Sequence, residues 1–560
     1  MTPDIQGSFQ ELSPRERLAA LLDLGHFREL AGPFDRIGSP WLQQQGLVPQ
    51  SDDGVIAVRG SVDGHAVVAI AIEGGFEGGS IGEVGGAKIA TALELAAESS
   101  RLGQPVAALL LLETGGVRLQ EATLGLAAIA AIHTAILNLS AYVPVIAVIA
   151  GPVGCFGGMS LAAQLCTHII GTPYGRLGMN GPEVIEQEAG ADEIDASDRE
   201  LIWQLVGCEA RFRDGWIDTF VPDDLSALAA AIHSAVAQGR TSSSRLAAPA
   251  TQLQRLREEI PARPQASVHE PVSARSCLWL QALAESSPAP AFATPSILTA
   301  RVALEDTTAL AISIVPDPES RLPRASHGEL GLEQAWALAA CLDQFVLDEQ
   351  QAGTRSPIIA IVDTPGQAFG RIEEQRCISA AAVAAVGAYA RARAAGHPVF
   401  TLVTGRAVSG SFLAHGLQSD YILAIADEGV SMYAMSAQSI ARITRRDLAT
   451  VQALAAATLP MSFAIADAHR LGVIDDLIEG INADRPTAED IARVKSCFGD
   501  ALAAWRRGQS TRSSIPFNPQ RQSTQRVRDA MRAQWSSAAD AGTKERSASS
   551  VSQPTEGVIV

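Results

Sequence analysis

The sequence predicts an α/β protein in which two domains of the same fold follow each other along the chain. Strand-like and helix-like stretches alternate over most of the 560 residues, which is typical of α/β folds. In addition, four motifs of the first half recur in the same order in the second half, with matched glycines 250, 252 and 257 residues apart. Such an ordered recurrence at a nearly constant offset indicates a duplicated domain.

The first elements of the chain are a helix and a hairpin. Residues 9–25 are helix-like, and the strand-like runs 55–59 and 66–73 flank Asp63-Gly64, a pair typical of a hairpin turn. A further helix-like stretch covers 87–102. These elements predict the alternation with which an α/β domain begins.

Two apolar strands follow, and each ends at a glycine-rich turn. The strand 106–112 runs into Glu113–Gly116, and the strand 143–150 runs into Gly151–Gly158. Both turns precede helix-like segments. Four motifs recur later in the chain. The turn Glu113–Gly116 recurs as Asp363–Gly366, and the strand Pro144–Ala150 recurs as Pro398–Thr404. The pair Gly157-Gly158 recurs as Ser409–Ser411, and Arg213–Asp218 recurs as Arg470–Asp475.

Composition divides the chain into four segments. Residues 1–239 and 273–506 are predicted to form the two domains. Residues 240–272 carry Ser, Pro, Arg and Gln without periodicity, which indicates a surface linker. Residues 507–560 are rich in Ser, Gln and Arg with few residues to bury, which predicts a disordered tail.

The bulk composition argues against several classes of partner. The net charge of −18 and pI near 5.1 argue against nucleic acid, whose phosphates require a basic surface. Seven scattered cysteines without C-x-x-C spacing indicate reduced thiols and predict no metal site. No apolar run reaches the roughly 20 residues that a bilayer span needs, so we expect no membrane association and a cytoplasmic protein.

Three glycine-rich turns of the first half are candidates for catalysis: 74–86, 113–116 and 151–158. Glycine lets a ligand approach the backbone, and a helix N-terminus presents free N–H groups. Two such donors that converge on one point form an oxyanion hole, and loss of one donor typically costs about 3 kcal/mol of catalysis. The simpler interpretation is that these glycines only permit tight turns, but three such clusters in one domain favour the catalytic one.

Three segments resemble a known superfamily. Glu113–Glu121 resembles the S-G-G-A-R-x-Q-E turn of the beta carboxyltransferase subunits of acyl-CoA carboxylases, and Gly178–Gln187 is similar to their G-x-x-G-P-x-V-I-E-Q segment. Asp363–Gly366 resembles the D-T-P-G turn of the alpha subunits. The resemblance covers most of 10–235 and 295–505. It implies two tandem crotonase-like domains of the carboxyltransferase type, built from repeated ββα units.

Departures from these relatives narrow the resemblance. The four-cysteine zinc ribbon of many beta subunits and the M-K-M tripeptide of a biotin carrier do not occur in the sequence. The alpha-type turn G-G-S-G-G is reduced to Val408–Ser411, and the alpha-type S-P-E is replaced by Ala434–Ser436. Within the superfamily the chain most resembles the beta and gamma subunits of biotin-independent malonate decarboxylases, joined in one polypeptide.

This resemblance implies a reaction and its partners. A malonyl thioester, carried by an acyl carrier protein on a coenzyme-A-like phosphopantetheine group, would lose CO2 and become an acetyl thioester. The enolate formed on the way would be stabilised by backbone N–H donors. Further expected partners are an acyl-carrier transferase (alpha) subunit and a second copy of the chain, and no biotin is expected.

The resemblance also implies site residues. The expected donors are Gly116 or Val117 together with Gly157 or Gly158. The second-domain residues expected to complete the site are Gly366, Gly410 and Ser411. Expected substrate contacts are Gly115, Arg118 (or Lys88 for phosphate), Glu183, His415 and Tyr433. The candidate proton donors are Glu83, Glu113, Glu183, His415, Tyr433 and water.

Two alternatives stay open at this point. The first is a biotin-dependent acyl-CoA carboxyltransferase, of the acetyl- or propionyl-CoA carboxylase type, with the same domain order. The second is a non-catalytic assembly subunit that has kept the fold, since fold alone does not establish activity. Pairing of the two domains within one chain or between chains fits the sequence equally well.

Overall fold

Two α/β domains, each with its own sheet, make up the described part of the chain. The computed structural model describes residues 7–24, 27–240, 245, 248–260, 275–509 and 518–549. The first domain contains α1 (Pro14–Leu21), β1 (Arg28–Leu30), α2 (Pro40–Gln44), β2 (Val55–Val62), β3 (His65–Ile72), α3 (Glu83–Arg101), β4 (Ala107–Leu111), α4 (Ala122–Ser140), β5 (Val145–Ile149), α5 (Gly158–Leu165), β6 (His168–Gly171), α6 (Pro182–Ala189), α7 (Arg199–Val206), α8 (Cys208–Arg213), β7 (Thr219–Phe220) and α9 (Leu225–Gln238).

The second domain repeats this succession of elements. After α10 (Pro249–Glu259), it contains α11 (Arg275–Leu283), β8 (Ala289–Ala291), β9 (Thr294–Leu304), β10 (Thr307–Ile314), α12 (Leu332–Ala352), β11 (Ile358–Thr364), α13 (Arg371–Gln375), α14 (Ile378–Ala394), β12 (Val399–Val408), α15 (Ser409–Ala414), β13 (Tyr421–Ile425), β14 (Ser431–Tyr433), α16 (Ala437–Ile443), α17 (Leu448–Ala457), α18 (Ile465–Arg470), β15 (Asp476–Ile478), α19 (Ala488–Arg506) and α20 (Gln522–Ser549).

The two sheets share one topology. Within the described residues the first sheet has the strand order β1-β2-β3-β4-β5-β6-β7, and the second has the order β15-β13-β12-β11-β10-β9-β8, with β14 beside β12. In each sheet an antiparallel hairpin, β2–β3 or β9–β10, is followed by parallel strands that are connected through helices. The predicted α/β fold and its duplication are confirmed.

The central strands are buried on both faces. Every residue of Ala107–Leu111 and of Val145–Ile149 is buried. Such continuous apolar runs are what parallel strands need when helices cover both sides of the sheet. The carboxyl ends of these strands carry the glycine turns to one edge of the sheet, and α4 and α5 begin there.

Helix α4 belongs to the interior. The segment Leu119–Ser140 is long and apolar enough to cross a membrane by length and composition, but 72% of its most apolar window is buried within the protein. It packs against α3 and α5 of its own domain and contacts α14 of the second. Its apolar character is therefore explained by its place between the two domains.

The predicted linker contains a helix. Over Pro249–Glu259 the chain forms α10, which packs on α12 of the second domain. Leu253 and Leu256 are buried, and Arg257 Nε lies 2.8 Å from Glu333 Oε1. Two buried leucines and one ion pair anchor this short helix, although most of its other residues are polar. The rest of 240–272 lies largely outside the described residues.

The expectation of a disordered tail is wrong for α20. This helix packs on α3 and β1 of the first domain. Val527, Met531 and Trp535 recur every four residues and are buried against those elements. Arg528 Nη2 lies 2.6 Å from Glu94 Oε1 at the same contact. An apolar stripe with helical spacing therefore holds the segment, despite its otherwise polar composition.

Candidate active site between the two domains

A cavity of about 960 Å³ lies between the domains. From the first domain it is lined by the predicted residues Gly115, Val117, Gly157, Gly158 and Glu183. From the second domain it is lined by Gln367, Phe369, Ser409, Ala434, Met435 and the arginines of the segment 442–446. The structure thus brings together the two glycine turns of the first domain, and the second domain closes the cavity, as the sequence predicts.

The two first-domain turns are in direct contact. A Cβ atom at Gly116 would lie 3.1 Å from the Cα of Gly157, and one at Gly157 would lie 3.2 Å from the Cα of Gly116. Their φ angles, +101° and +59°, lie in a region that side chains strongly disfavour. Glycine at both positions is therefore required by sterics, and it lets the two turns approach each other closely.

Hydrogen bonding separates the four candidate donors into two pairs. The Gly116 N–H donates to Thr114 Oγ1 at 3.0 Å, and the Gly157 N–H donates to the Met179 carbonyl at 2.9 Å. Among the described residues, the N–H groups of Val117 and Gly158 have no acceptor. Because both of these residues line the cavity, the available donor pair is Val117 and Gly158.

Helix α5 orients the second donor. Gly158 is its first residue, so its N–H belongs to the first turn of a helix, where no intrahelical acceptor exists. His133 of α4 donates from Nε2 to the Gly158 carbonyl at 2.9 Å. Burial lowers the pKa of His133 to about 4, which keeps the ring neutral. This contact fixes the peptide unit that follows the donor.

Arg118 is a structural residue, so its predicted substrate contact is wrong. Its side chain is fully buried, and its guanidinium lies 2.8 Å from Asp53 Oδ1 and 2.9 Å from Glu121 Oε2. It also donates to the Ser80 carbonyl at 2.9 Å. The arginine therefore ties the turn after Gly116 to two neighbouring loops. A charge that is buried and paired in this way is not available to a ligand.

Lys88, the alternative phosphate contact, is also buried. Its Nζ donates to the carbonyls of Asp52 and Val55. Desolvation lowers its pKa to about 8. This lysine supports the start of α3 from within the domain and does not line the cavity.

His415 and Tyr433 do not reach the cavity either. His415 is completely buried, with Nδ1 2.8 Å from the hydroxyl of Tyr389, and burial lowers its pKa to about 4. Tyr433 is half-buried and packs edge-on against Phe463, with ring centroids 5.2 Å apart. The cavity is lined instead by the residue after Tyr433, Ala434. The predicted substrate contacts of His415 and Tyr433 are therefore not supported.

Three glutamates were candidate proton donors, and one of them lines the cavity. Glu113 accepts from Arg17 Nη1 at 2.7 Å, and Glu83 accepts from Trp41 Nε1 at 2.9 Å. Both are buried and structural. Glu183, in the first turn of α6, is exposed and lines the cavity. It is the predicted carboxylate that the structure leaves in position to contact a substrate.

The second-domain turn is built differently from its first-domain counterpart. Gly366 has a φ of +139°, but the Gly410 N–H donates to the side-chain Oε1 of Gln367 at 3.0 Å. Ser411 Oγ is buried and bonds the Val408 carbonyl at 2.7 Å. None of the predicted second-domain residues Gly366, Gly410 and Ser411 lines the cavity, and Gln367 lines it instead.

A basic cluster that was not predicted from the sequence also lines the cavity. Arg442, Arg445 and Arg446 line the cavity, together with Arg176 of the first domain. In the part of the chain that the structure describes, none of the three second-domain arginines pairs with a carboxylate; Arg446 Nη1 lies 3.4 Å from Gln45 Oε1. The sequence signal for this cluster is the presence of three arginines within the five residues 442–446, in a chain that is otherwise acidic.

A buried carboxylate joins the two domains beside the cavity. Glu374 of α13 accepts the N–H groups of Met179 and Asn180 at 3.2 and 2.7 Å. Arg211 Nη2 lies 3.5 Å from the same carboxylate. Because Met179 accepts the Gly157 N–H, this contact also supports the second glycine turn. In this structure the two domains pair within one chain.

Each half of the chain matches a known family. The family model of the carboxyl transferase domain matches residues 10–268, and that of the malonate decarboxylase gamma subunit matches residues 325–535. The second match extends through Trp535, in agreement with the ordered helix α20.

Individual relatives agree with these matches. The chain is 42% identical to the malonyl-S-ACP:biotin-protein carboxyltransferase MADC of Malonomonas rubra, over 39% of this chain and 72% of the relative. It is 34% identical to MADD of the same organism, over 38% of this chain and 74% of the relative.

A solved structure is also similar to part of the chain. The crystal structure of a Pseudomonas malonate decarboxylase hetero-tetramer in complex with malonate contains a chain that is 56% identical over 46% of this chain and 95% of its own length, with a TM-score of 0.45. On the evidence of the two family models and the relatives from Malonomonas rubra, the chain belongs to the carboxyl transferase family, as a fusion of a beta-type domain with a malonate decarboxylase gamma-type domain.

Proposed function

We propose that the chain decarboxylates a malonyl thioester, bound to an acyl carrier protein, to the acetyl thioester and CO2 without biotin. The observation that carries this proposal is the pair of free backbone donors, Val117 N–H and Gly158 N–H, in the cavity between the domains. Relatives named for malonyl-S-ACP chemistry and for malonate decarboxylase support the choice of substrate.

The reaction needs stabilisation of negative charge more than it needs a nucleophile. The bond between C2 and the carboxylate breaks, CO2 leaves, and the electron pair moves through C2 onto the thioester oxygen. Two preorganised donors stabilise this enolate oxygen more than the ground-state carbonyl, which lowers the barrier. The C2 atom then takes up one proton, and the acetyl thioester results.

Glu183 is the proposed source of this proton. It lines the cavity from the first turn of α6, whereas Glu83 and Glu113 are committed to structural contacts. Solvent water is the alternative donor. Replacement of Glu183 by Gln separates the two: a donor role requires a fall in kcat, while proton delivery by water leaves kcat nearly unchanged.

The basic cluster fits the carrier of the thioester. A phosphopantetheine arm brings a phosphodiester to the cavity along with the reactive thioester. Arg442, Arg445 and Arg446 line that cavity and lack carboxylate partners in the described structure, so they are proposed to bind this phosphate. A separate acyl-carrier transferase subunit and assembly of several copies of the chain complete the proposed enzyme.

Carboxyl transfer to a biotin protein is the second candidate. It is favoured by one observation: MADC and MADD, which are 42% and 34% identical to this chain, are both named as malonyl-S-ACP:biotin-protein carboxyltransferases. In that reaction the carboxyl group moves to biotin and is not released directly as CO2.

One assay distinguishes the two functions. The purified chain is given malonyl-CoA in the presence of excess avidin, which removes any biotin, and acetyl-CoA and CO2 are measured. The proposed decarboxylase forms both products at the same rate with and without avidin. Formation of acetyl-CoA only when a biotin carrier is supplied would establish the transferase instead.

A further inference from the structure

The glycine turns of the two domains are structural copies. The Ile81 N–H donates to the Gly116 carbonyl at 2.7 Å, and the Leu330 N–H donates to the Gly366 carbonyl at 3.0 Å. Each turn thereby forms a short parallel bridge: Val117 pairs with Ile81 in the first domain, and Gln367 pairs with Leu330 in the second. Val117 and Gln367 therefore occupy the same position of the repeat.

The helices that face these turns are copies as well. Helix α5 begins at Gly158 after Gly157, whose φ is +59°; α15 reaches Gly410 after Ser409, whose φ is +51°. The backbone of the second domain thus repeats the arrangement that presents the Gly158 N–H in the first. By backbone geometry alone, Gly410 would present an equivalent donor directly behind Ser409 and Gln367, which line the cavity.

One side chain distinguishes the two copies. Val117 carries no acceptor, and the Gly158 N–H has no partner in the described structure. Gln367 carries a carboxamide, and its Oε1 accepts the Gly410 N–H at 3.0 Å. In the second-domain counterpart of the proposed oxyanion hole, the donor is therefore already occupied by a carbonyl oxygen of the protein, Gln367 Oε1.

The Gln367 side chain is held at its other end too. Its Nε2 donates to Asn180 Oδ1 at 2.9 Å, and Asn180 Nδ2 donates to the Ala368 carbonyl and to Glu374 Oε1, each at 3.0 Å. Gln367 is only 7% exposed. A carboxamide fixed at both its oxygen and its nitrogen does not swing away to admit a ligand without breaking a buried network.

We infer that Gln367 is the specificity-determining residue that excludes a cyclic urea, the reactive group of biotin, from the second domain. The carboxamide presents the same carbonyl oxygen and N–H groups as a ureido ring and occupies the donor that such a ring would need. This inference rests on the proposed biotin-free function. It explains how a chain related to biotin-protein carboxyltransferases dispenses with biotin.

Removal of the carboxamide tests the inference. Gln367→Val introduces the first-domain residue, and Gln367→Asn keeps the amide but shortens it by one methylene, so that it no longer reaches Gly410. Gln187→Ala is the matched control, because Gln187 also lines the cavity but bonds Ser439 instead. Free biotin is the probe, and binding is measured by calorimetry on the full chain.

We expect biotin to bind Gln367→Val and Gln367→Asn with a dissociation constant at least tenfold below that of the wild type, and the control to match the wild type. Thermal melting establishes that each variant is folded. Equal biotin affinity in the wild type and in both folded Gln367 variants would overturn the inference. Because binding of biotin is the readout, this outcome is independent of whether malonyl-CoA is decarboxylated.

Discussion

His133 Nε2 lies 2.9 Å from the carbonyl oxygen of Gly158, a cavity-lining residue whose N–H has no acceptor in the described structure. Since a carbonyl only accepts, Nε2 carries the proton. The contact connects α4, which lies between the two domains, to the first residue of α5. His133 is accordingly proposed as a positioning residue, which holds the peptide unit that follows the Gly158 N–H at the start of α5.

Substitution of His133 tests this role. His133→Leu removes the donor, and we expect kcat for malonyl-CoA to fall about tenfold with little change in KM, because the donor is misaligned while the cavity remains. His133→Gln places an amide nitrogen near the former Nε2 and should restore most of the rate. Equal losses in both variants would indicate a packing role only.

The arginine cluster predicts a change in substrate binding. Arg445→Ala and Arg446→Ala should each raise the KM for malonyl-CoA roughly tenfold while leaving kcat nearly constant, since they contact a remote phosphate and not the reacting atoms. The effect should weaken at high salt. Arg470→Ala, which removes an exposed arginine paired with Asp467, is the control. An unchanged KM in both cluster variants would contradict phosphate binding.

Glu373 predicts a pH dependence of stability. It is buried and accepts the Leu332 N–H at 3.0 Å, and desolvation raises its pKa to about 8. A carboxyl group whose pKa is raised in the folded state stabilises the protein fully when the pH is below the pKa of the unfolded state, which is near 4.5. This stabilisation is lost as the pH rises through the folded-state pKa of about 8.

Glu373→Gln should therefore remove part of this dependence. Between pH 5 and pH 8 we expect the free energy of unfolding of the wild type to fall, relative to that of the variant, by an amount on the order of 2 kcal/mol. Denaturant titrations of both proteins at the two pH values measure it. An equal change in the free energy of unfolding of both proteins between pH 5 and pH 8 would show that Glu373 is not protonated in the folded state.

Trp535 predicts that α20 stabilises the first domain. It is 7% exposed and stacks on Arg59, whose Cζ lies 4.5 Å from the centre of the tryptophan ring. Trp535→Ala should lower the free energy of unfolding by about 3–5 kcal/mol. Leu102→Ala, at a position that is 67% exposed, should change it by about 0.5 kcal/mol or less. A small loss for Trp535→Ala would mean that the helix is only loosely attached.

The sequence was sufficient to predict the fold, because strands, turns and their recurrence are local patterns, and two of its predicted glycine turns line the candidate site. It was not sufficient to choose between Gly157 and Gly158 as donor. That choice depends on the Met179 carbonyl, which reaches Gly157 from a different loop. Gln367 was visible after the D-T-P-G turn, but its role depends on Gly410, which is 43 residues away.

Two other differences from the sequence predictions have separate causes. Arg118 resembles a ligand contact by motif, yet it is paired with Glu121, three residues further along the chain, and with Asp53, whose proximity is a tertiary feature. In the tail, the helical stripe of Val527, Met531 and Trp535 was present but diluted by polar residues. Overall polarity therefore concealed a real amphipathic pattern.

The central claim, that the Gly158 N–H stabilises the enolate, is tested most directly by comparing Gly158→Pro with Gly158→Ala. Both variants add a Cβ, which at this position would lie 2.7 Å from Leu413 Cδ1, but only proline removes the N–H. Proline is compatible with the first position of a helix. We predict a kcat for malonyl-CoA decarboxylation roughly 10²–10³-fold lower in the proline variant than in the alanine variant. Equal kcat values in the two folded variants would contradict the account.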